Sequence, residues 1–202
     1  MRSTQEATQP ETTEADAQER WRQERAELLA RLQQLPPLQT QLQKSPRALR
    51  IALATADEAP LALRIMQEAF AEYEGVLNPP NGAIRETVED VVRAMIEGGN
   101  VLVWQETTPV GSARFRLLPD HLYIGRVAVL PSHRGKGIAS ALMGYMETIA
   151  RAVGLSEIRL RTRAQLERNL SLYRRLGYEV VQITRHPNGP DEIVLFTKKL
   201  PP

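Results

Sequence analysis

The apolar positions Ile138, Ala141, Leu142, Tyr145, Met146, Ile149, Ala150 and Val153 recur at helical spacing and stop at Gly154, which predicts an amphipathic helix with one face in a core. Upstream, Ala62, Ile65, Met66, Ala69, Phe70 and Tyr73 share a face behind Thr55, Asp57 and Pro60, residue types that open a helix. Val88, Val91, Val92, Met95 and Ile96 mark a second helix ending at Gly98 and Gly99, and a weak alternation over 49–54 predicts a strand before both. Residues 101–105, 110–117 and 122–130 are separated by short turns and form a predicted antiparallel meander, with Gly125 marking a bulge in its third strand. Ile158, Leu160 and Thr162 alternate with charged neighbours as a strand, and a helix over 166–176 ends at Gly177. Residues 178–183 and 193–197 flank Pro187-Asn188-Gly189-Pro190 as a final hairpin.

The resulting order is β-α-α-β-β-β-α-β-α-β-β. Strand, helix and strand around 122–162 form a crossover, which forces one parallel pair into a sheet that is otherwise antiparallel. The expected fold class is therefore α/β (α+β), a mixed, mostly antiparallel central sheet flanked by helices.

Residues 1–47 stand apart as a polar extension rich in Gln, Glu, Thr and Arg, a composition too poor in apolar residues to order itself. Within it, Trp21, Leu28, Leu32 and Leu35 fall near helical spacing, which predicts a short amphipathic helix from about residue 15 to 35, solvated or loosely docked. Residues 48–202 then form the domain proper. The 26 Lys and Arg residues barely exceed the 24 Asp and Glu, so no nucleic-acid partner is expected, although Arg159, Arg161, Arg163, Arg168, Arg174 and Arg175 cluster in sequence. The absence of cysteine excludes disulfides, thiolate metal sites and a cysteine acyl-enzyme. No apolar run is long enough to span a bilayer and no secretory signal opens the chain, which makes a cytoplasmic protein without a membrane partner the expectation.

The chemistry concentrates in Pro131-Ser132-His133-Arg134-Gly135-Lys136-Gly137, between a strand and the strongest helix. A helix N-terminus presents unpaired amides and partial positive charge, glycines let an anion approach them, and Arg134 and Lys136 add charge at the rim. A glycine-containing turn with incidental basic residues explains the loop equally well when it is taken alone. The GxGxxG spacing of dinucleotide folds is absent, and Lys136 is not followed by the Ser or Thr of a triphosphate loop.

Arg134-Gly135-Lys136-Gly137-Ile138-Ala139 resembles the Arg/Gln-x-x-Gly-x-Gly/Ala signature of the GNAT superfamily of N-acetyltransferases. The segment 51–70 is similar to that family's first strand and helix, Asn169-x-x-x-Tyr173-x-x-x-Gly177-Tyr178 resembles another of its segments, and the closing hairpin is family-like. The resemblance covers about 49–200 and implies acetyl-CoA as cosubstrate, with a small-molecule or peptide amine as acceptor. It implies that Val127, Ala128 and Val129 lie along the pantetheine arm, and that Gly135, Lys136, Gly137, Ile138, Ala139 and Ser140 hold the pyrophosphate with Arg134 beside them. Asn169 and Tyr173 match CoA-side residues, with Tyr173 as general acid for the departing thiolate or simply a CoA contact. The strand 122–130 has no Asp or Glu to act as base, which leaves Asp120, His121, Glu74, Glu106 or a water chain. His133 and His186 read as surface residues and no metal is expected, because no second ligand stands at metal spacing. Residues 73–84 and 186–191 are expected to set the acceptor. Glu72, Glu74, Asp191 and Glu192 there either attract a cationic amine or are merely solvated. A non-catalytic acyl-CoA-binding module with a partner-binding tail is the competing reading, and the resemblance also allows a homodimer.

Overall fold

Helix α4, Ile138–Ala152, forms where the apolar periodicity is strongest, and it buries Ile138, Leu142, Met143, Tyr145, Met146, Ile149 and Ala150. The structure, a computed structural model, describes residues 13–43 and 47–201. The first and last parts of the polar extension, 1–12 and 44–46, lie outside those residues.

Eight strands form one sheet in the order β1-β2-β3-β4-β5-β6-β8-β7. They are β1 Leu38–Gln41, β2 Ala48–Leu53, β3 Gly98–Gln105, β4 Thr108–Leu117, β5 Leu122–Val129, β6 Glu157–Arg163, β7 Glu179–Arg185 and β8 Glu192–Lys199. Every pairing is antiparallel except β5 with β6, as the crossover through α4 requires. One face of the sheet packs α4 and the apolar side of α1 (Glu14–Leu32) around Phe115, Ile124, Leu160 and Phe196. Against the other face, α2 (Ala59–Phe70) and α3 (Val88–Met95) cover Leu102, Ala128 and Leu130. Helix α5, Glu167–Arg175, follows β6 and brings Tyr173 against the first cluster.

Three details differ from the sequence expectation. Beside the expected helix α1, begun by a reciprocal Thr13–Asp16 capping box, the extension contributes a strand, β1, which pairs with β2 from Leu38 opposite Ile51 to Gln41 opposite Ala48. Leu32 at the end of α1 is 2% exposed and joins the main core, with Trp21, Leu28, Leu29 and Leu35 half-buried behind it. Gly98 and Gly99 do not terminate a helix but open β3, where a Cβ on Gly98 would collide with the Phe115 carbonyl on the neighbouring strand. The bulge in β5 falls one residue beyond Gly125. The register runs from Arg114 opposite Gly125 to Ser112 opposite Ala128, and Arg126 takes the left-handed φ of 55° that the extra residue demands.

Candidate active site

The bulge decides the geometry of the site. Strands β5 and β6 pair only from Leu122 to Ile124 against Ile158 to Leu160, and beyond that point they part. Two cavities open along the gap, and both are lined by Phe70, Val127, Asn169 and Tyr173, which therefore form the junction between them.

The larger cavity, about 1260 Å³, lies over the loop that precedes α4. Gly135 and Gly137 sit at φ of 75° and 89°, a left-handed backbone that side chains disfavour. Gly137 is the N-cap of α4 and offers no side chain to the helix, and the first intrahelical bond is Ala141 N–H to Gly137 O at 3.0 Å. The amides of Ile138, Ala139 and Ser140 are thus left for a ligand. Val127, Ala128 and Val129 line the same cavity, so all twelve residues implied by the resemblance border one space. Arg134 departs from its expected role. Its guanidinium turns inward and donates to the carbonyls of Val129 (3.1 Å) and Ala69 (3.0 Å) and to Glu72 (2.7 Å), tying the loop to the end of α2.

The sequence reading missed part of this wall. Arg168 and Arg175 border the cavity from α5, while Leu38, Thr40, Leu42 and Gln43 border it from β1 and the residues just after it. Helical spacing carried a signal for the first pair, since Arg168, Leu172 and Arg175 fall on one face with Asn169 beside them. Nothing in the local pattern pointed to β1. His133, expected on the surface, also lines this cavity.

At the junction, Tyr173 is 6% exposed and packs its ring on Tyr178 and Phe196, while its hydroxyl makes no hydrogen bond to the described residues. Burial raises its phenol far above the ordinary tyrosine value, so the proton stays on. Tyr73 stands near it, also raised by burial and then by the Glu72 carboxylate, and its phenol reaches Asn169.

The second cavity, about 760 Å³, is bounded by residues 79–82, the β7–β8 turn and the open face of β4, β5 and β6. Its chemistry is arginine. Arg114 and Arg126, from β4 and the β5 bulge, grip Glu86 at 2.6 and 2.8 Å. Arg163 donates to Asp191 (3.2 Å) and to the Pro79 carbonyl (3.0 Å), and Asn78 N–H donates to the same Asp191 carboxylate (2.8 Å). Two of the four acids that suggested a cationic acceptor are therefore already engaged, Asp191 here and Glu72 with Arg134. Glu86, two residues past the segment expected to matter, escaped the sequence reading because its partners lie 28 and 40 positions away.

None of Glu74, Glu106, Asp120 and His121 lines either cavity. His186 does line the second, but it is poorly suited to act as a base. Burial and then Arg163 lower its pKa, which keeps the ring neutral, and Nδ1 accepts the Asn188 N–H at 3.1 Å. The ring proton then sits on Nε2, making His186 a donor. Among the described residues no group of His, Asp and Glu is arranged to hold a metal, and no helix is long and apolar enough to cross a membrane.

A helix-terminus cradle and a separate polar cavity meet where two parallel strands part. The chain belongs to the acetyltransferase (GNAT) family, whose sequence profile matches residues 63–178. It is 24% identical over 139 residues to the uncharacterized protein YyaT of Bacillus subtilis (strain 168), covering 69% of this chain and 87% of that one. It is 28% identical over 117 residues to the uncharacterized N-acetyltransferase YjcF of the same organism, covering 57% of this chain and 79% of that one. Among solved structures, the GNAT domain of S. lividans PAT superposes with a TM-score of 0.67 at 16% identity, covering 83% of this chain and all of that one. The PaiA N-acetyltransferase of Thermoplasma acidophilum in complex with coenzyme A gives 0.64 at 18% identity, with 75% and 98% covered. At these identities the structural likeness is one of fold.

Proposed function

We propose that this protein transfers the acetyl group of acetyl-CoA to a primary amine by direct attack, with both substrates bound at once. The observation that carries the reading is the pair of cavities meeting at Val127 and Tyr173 where β5 and β6 separate. In this reading the amides of Ile138 to Ser140 bind the diphosphate of CoA, and Lys136, Arg168 and Arg175 supply charge around it. The edge of β5 from Val127 to Val129 pairs with the pantetheine arm, and an amide at the bulge receives the carbonyl oxygen as charge develops.

The amine arrives as an ammonium and loses one proton to solvent. Its nitrogen then bonds to the acetyl carbon as the carbon–sulfur bond breaks. A second proton leaves the nitrogen for solvent, and the departing thiolate takes one from solvent to end as a thiol. In this reading Tyr173 donates a hydrogen bond to that sulfur, which its position where the cavities meet and a phenol raised by burial both support.

The expected outcome for Tyr173→Phe is a fall in kcat of roughly 10²-fold or more with the KM for acetyl-CoA nearly unchanged, read by steady-state thiol release. Unchanged turnover would remove Tyr173 from the chemistry. The competing reading, an acyl-CoA-binding module, draws on the lack of an Asp or Glu in the strand 122–130. It predicts that acetyl-CoA raises the melting temperature while no amine accelerates CoA release.

A further inference from the structure

The second cavity holds more positive charge than its own carboxylates neutralise. Arg114, Arg116, Arg126, Arg161 and Arg163 line it, and the acids that pair with them are Glu86, Glu97 and Asp191. Five arginines against three carboxylates leave an excess of two charges. The excess is concentrated on Arg161, which is exposed and has no ion pair among the described residues. Arg116 is held only loosely, with Glu97 at 3.7 Å and the Tyr123 ring under its guanidinium. Strand alternation puts Arg161 and Arg163 on one face of β6, and the β4–β5 register sets Arg114 and Arg116 opposite Gly125 and Tyr123. His186 adds an N–H donor from the β7–β8 turn, and that turn is tied to residue 78 through Asp191. The cavity is thus a wall of hydrogen-bond donors from three strands and a turn, closed on one side by a fixed rim.

We propose that the acceptor is a small amine that bears its own oxyanion, a carboxylate or a phosphate, bound by Arg161 and Arg116 with its amino group directed toward Val127 and Tyr173. The inference rests on the transferase reading above and names its substrate class. Planar guanidinium groups match both oxyanions through paired N–H donors. The same charge addresses the missing base. A cation within about 4–6 Å disfavours an ammonium, so the bound amine surrenders its proton to solvent nearer neutrality and needs no carboxylate to take it. A polyamine or another polycation would meet repulsion here.

The test is a panel of amines matched in length and compared at equal concentrations of neutral amine. β-Alanine is set against its amide and 1,3-diaminopropane, and O-phosphoethanolamine against ethanolamine. The anionic members should show kcat/KM higher than their uncharged or cationic counterparts by roughly 10- to 100-fold, and whichever of the two leads identifies carboxylate or phosphate. Arg161→Gln should erase about tenfold of that preference and move the ascending limb of the pH–rate profile to higher pH, while the thermal shift given by acetyl-CoA is kept. Acetylation of neutral or cationic amines as fast as anionic ones overturns the inference and leaves the transferase reading standing. Acetylation of no amine at all overturns the transferase reading, and this inference falls with it.

Discussion

Tyr173 and Tyr178 both bury their phenols, but in different surroundings. Tyr173 lines both cavities where they meet, whereas the Tyr178 oxygen is enclosed with no hydrogen-bond partner among the described residues and Lys198 stands over its ring at 5.6 Å. An enclosed hydroxyl that bonds to nothing costs more than it returns. Tyr178→Phe is therefore expected to leave stability unchanged or raise it by about 1 kcal/mol in chemical denaturation; a loss of 2 kcal/mol or more would mean that the hydroxyl does have a partner. Burial raises both phenols. The unfolded chain releases these protons above about pH 10 while the folded one holds them, so stability is full below that pH and falls as pH rises. Each buried tyrosine contributes about 1.4 kcal/mol per pH unit to that alkaline slope, and Tyr178→Phe should remove its share.

At the scale of elements, the extension is the part whose importance was least legible. Helix α1 had a pattern, and the structure gives it nearly the expected span. Strand β1 had none, because its residues are exposed or half-exposed and it is held by backbone pairing with β2 rather than by burial. It also reaches the candidate site, since Leu38 and Thr40 of β1, with Leu42 just after it, line the larger cavity. Truncating the buried Leu32 to Ala should cost about 2–5 kcal/mol, read as a lower melting temperature, together with weaker acetyl-CoA stabilisation as β1 loosens. A change below about 0.5 kcal/mol would show that the extension docks without contributing. The loop before α4 behaves oppositely: its left-handed glycines and its place at a helix start were legible, because both are local features. Only the direction of Arg134 was hidden, since its acceptors lie on α2 and β5.

For the molecule as a whole, two cavities meet where the strands part; on the proposed reading one takes the donor and the other the acceptor, and each is built by different kinds of sequence information. The donor half was legible from contiguous motifs, namely the loop, the Asn169/Tyr173 pair and the strand over 127–129. The acceptor half was not, because Glu86, Arg114, Arg126, Arg163 and Asp191 meet only through folding and no local pattern announces their pairing. The arginines around residue 161 looked like a faint nucleic-acid footprint in the sequence. In the fold they separate, Arg161 and Arg163 into the second cavity, Arg168 and Arg175 into the larger one. The central claim is that these halves cooperate in one acetyl transfer. Its most direct test is simultaneous measurement of thiol release and N-acetylated product in the presence of acetyl-CoA and the amine panel. One acetylated amine for every CoA released, at a rate that rises with amine concentration and saturates, is the predicted result; CoA release that ignores every amine, with no acetylated product, would contradict it.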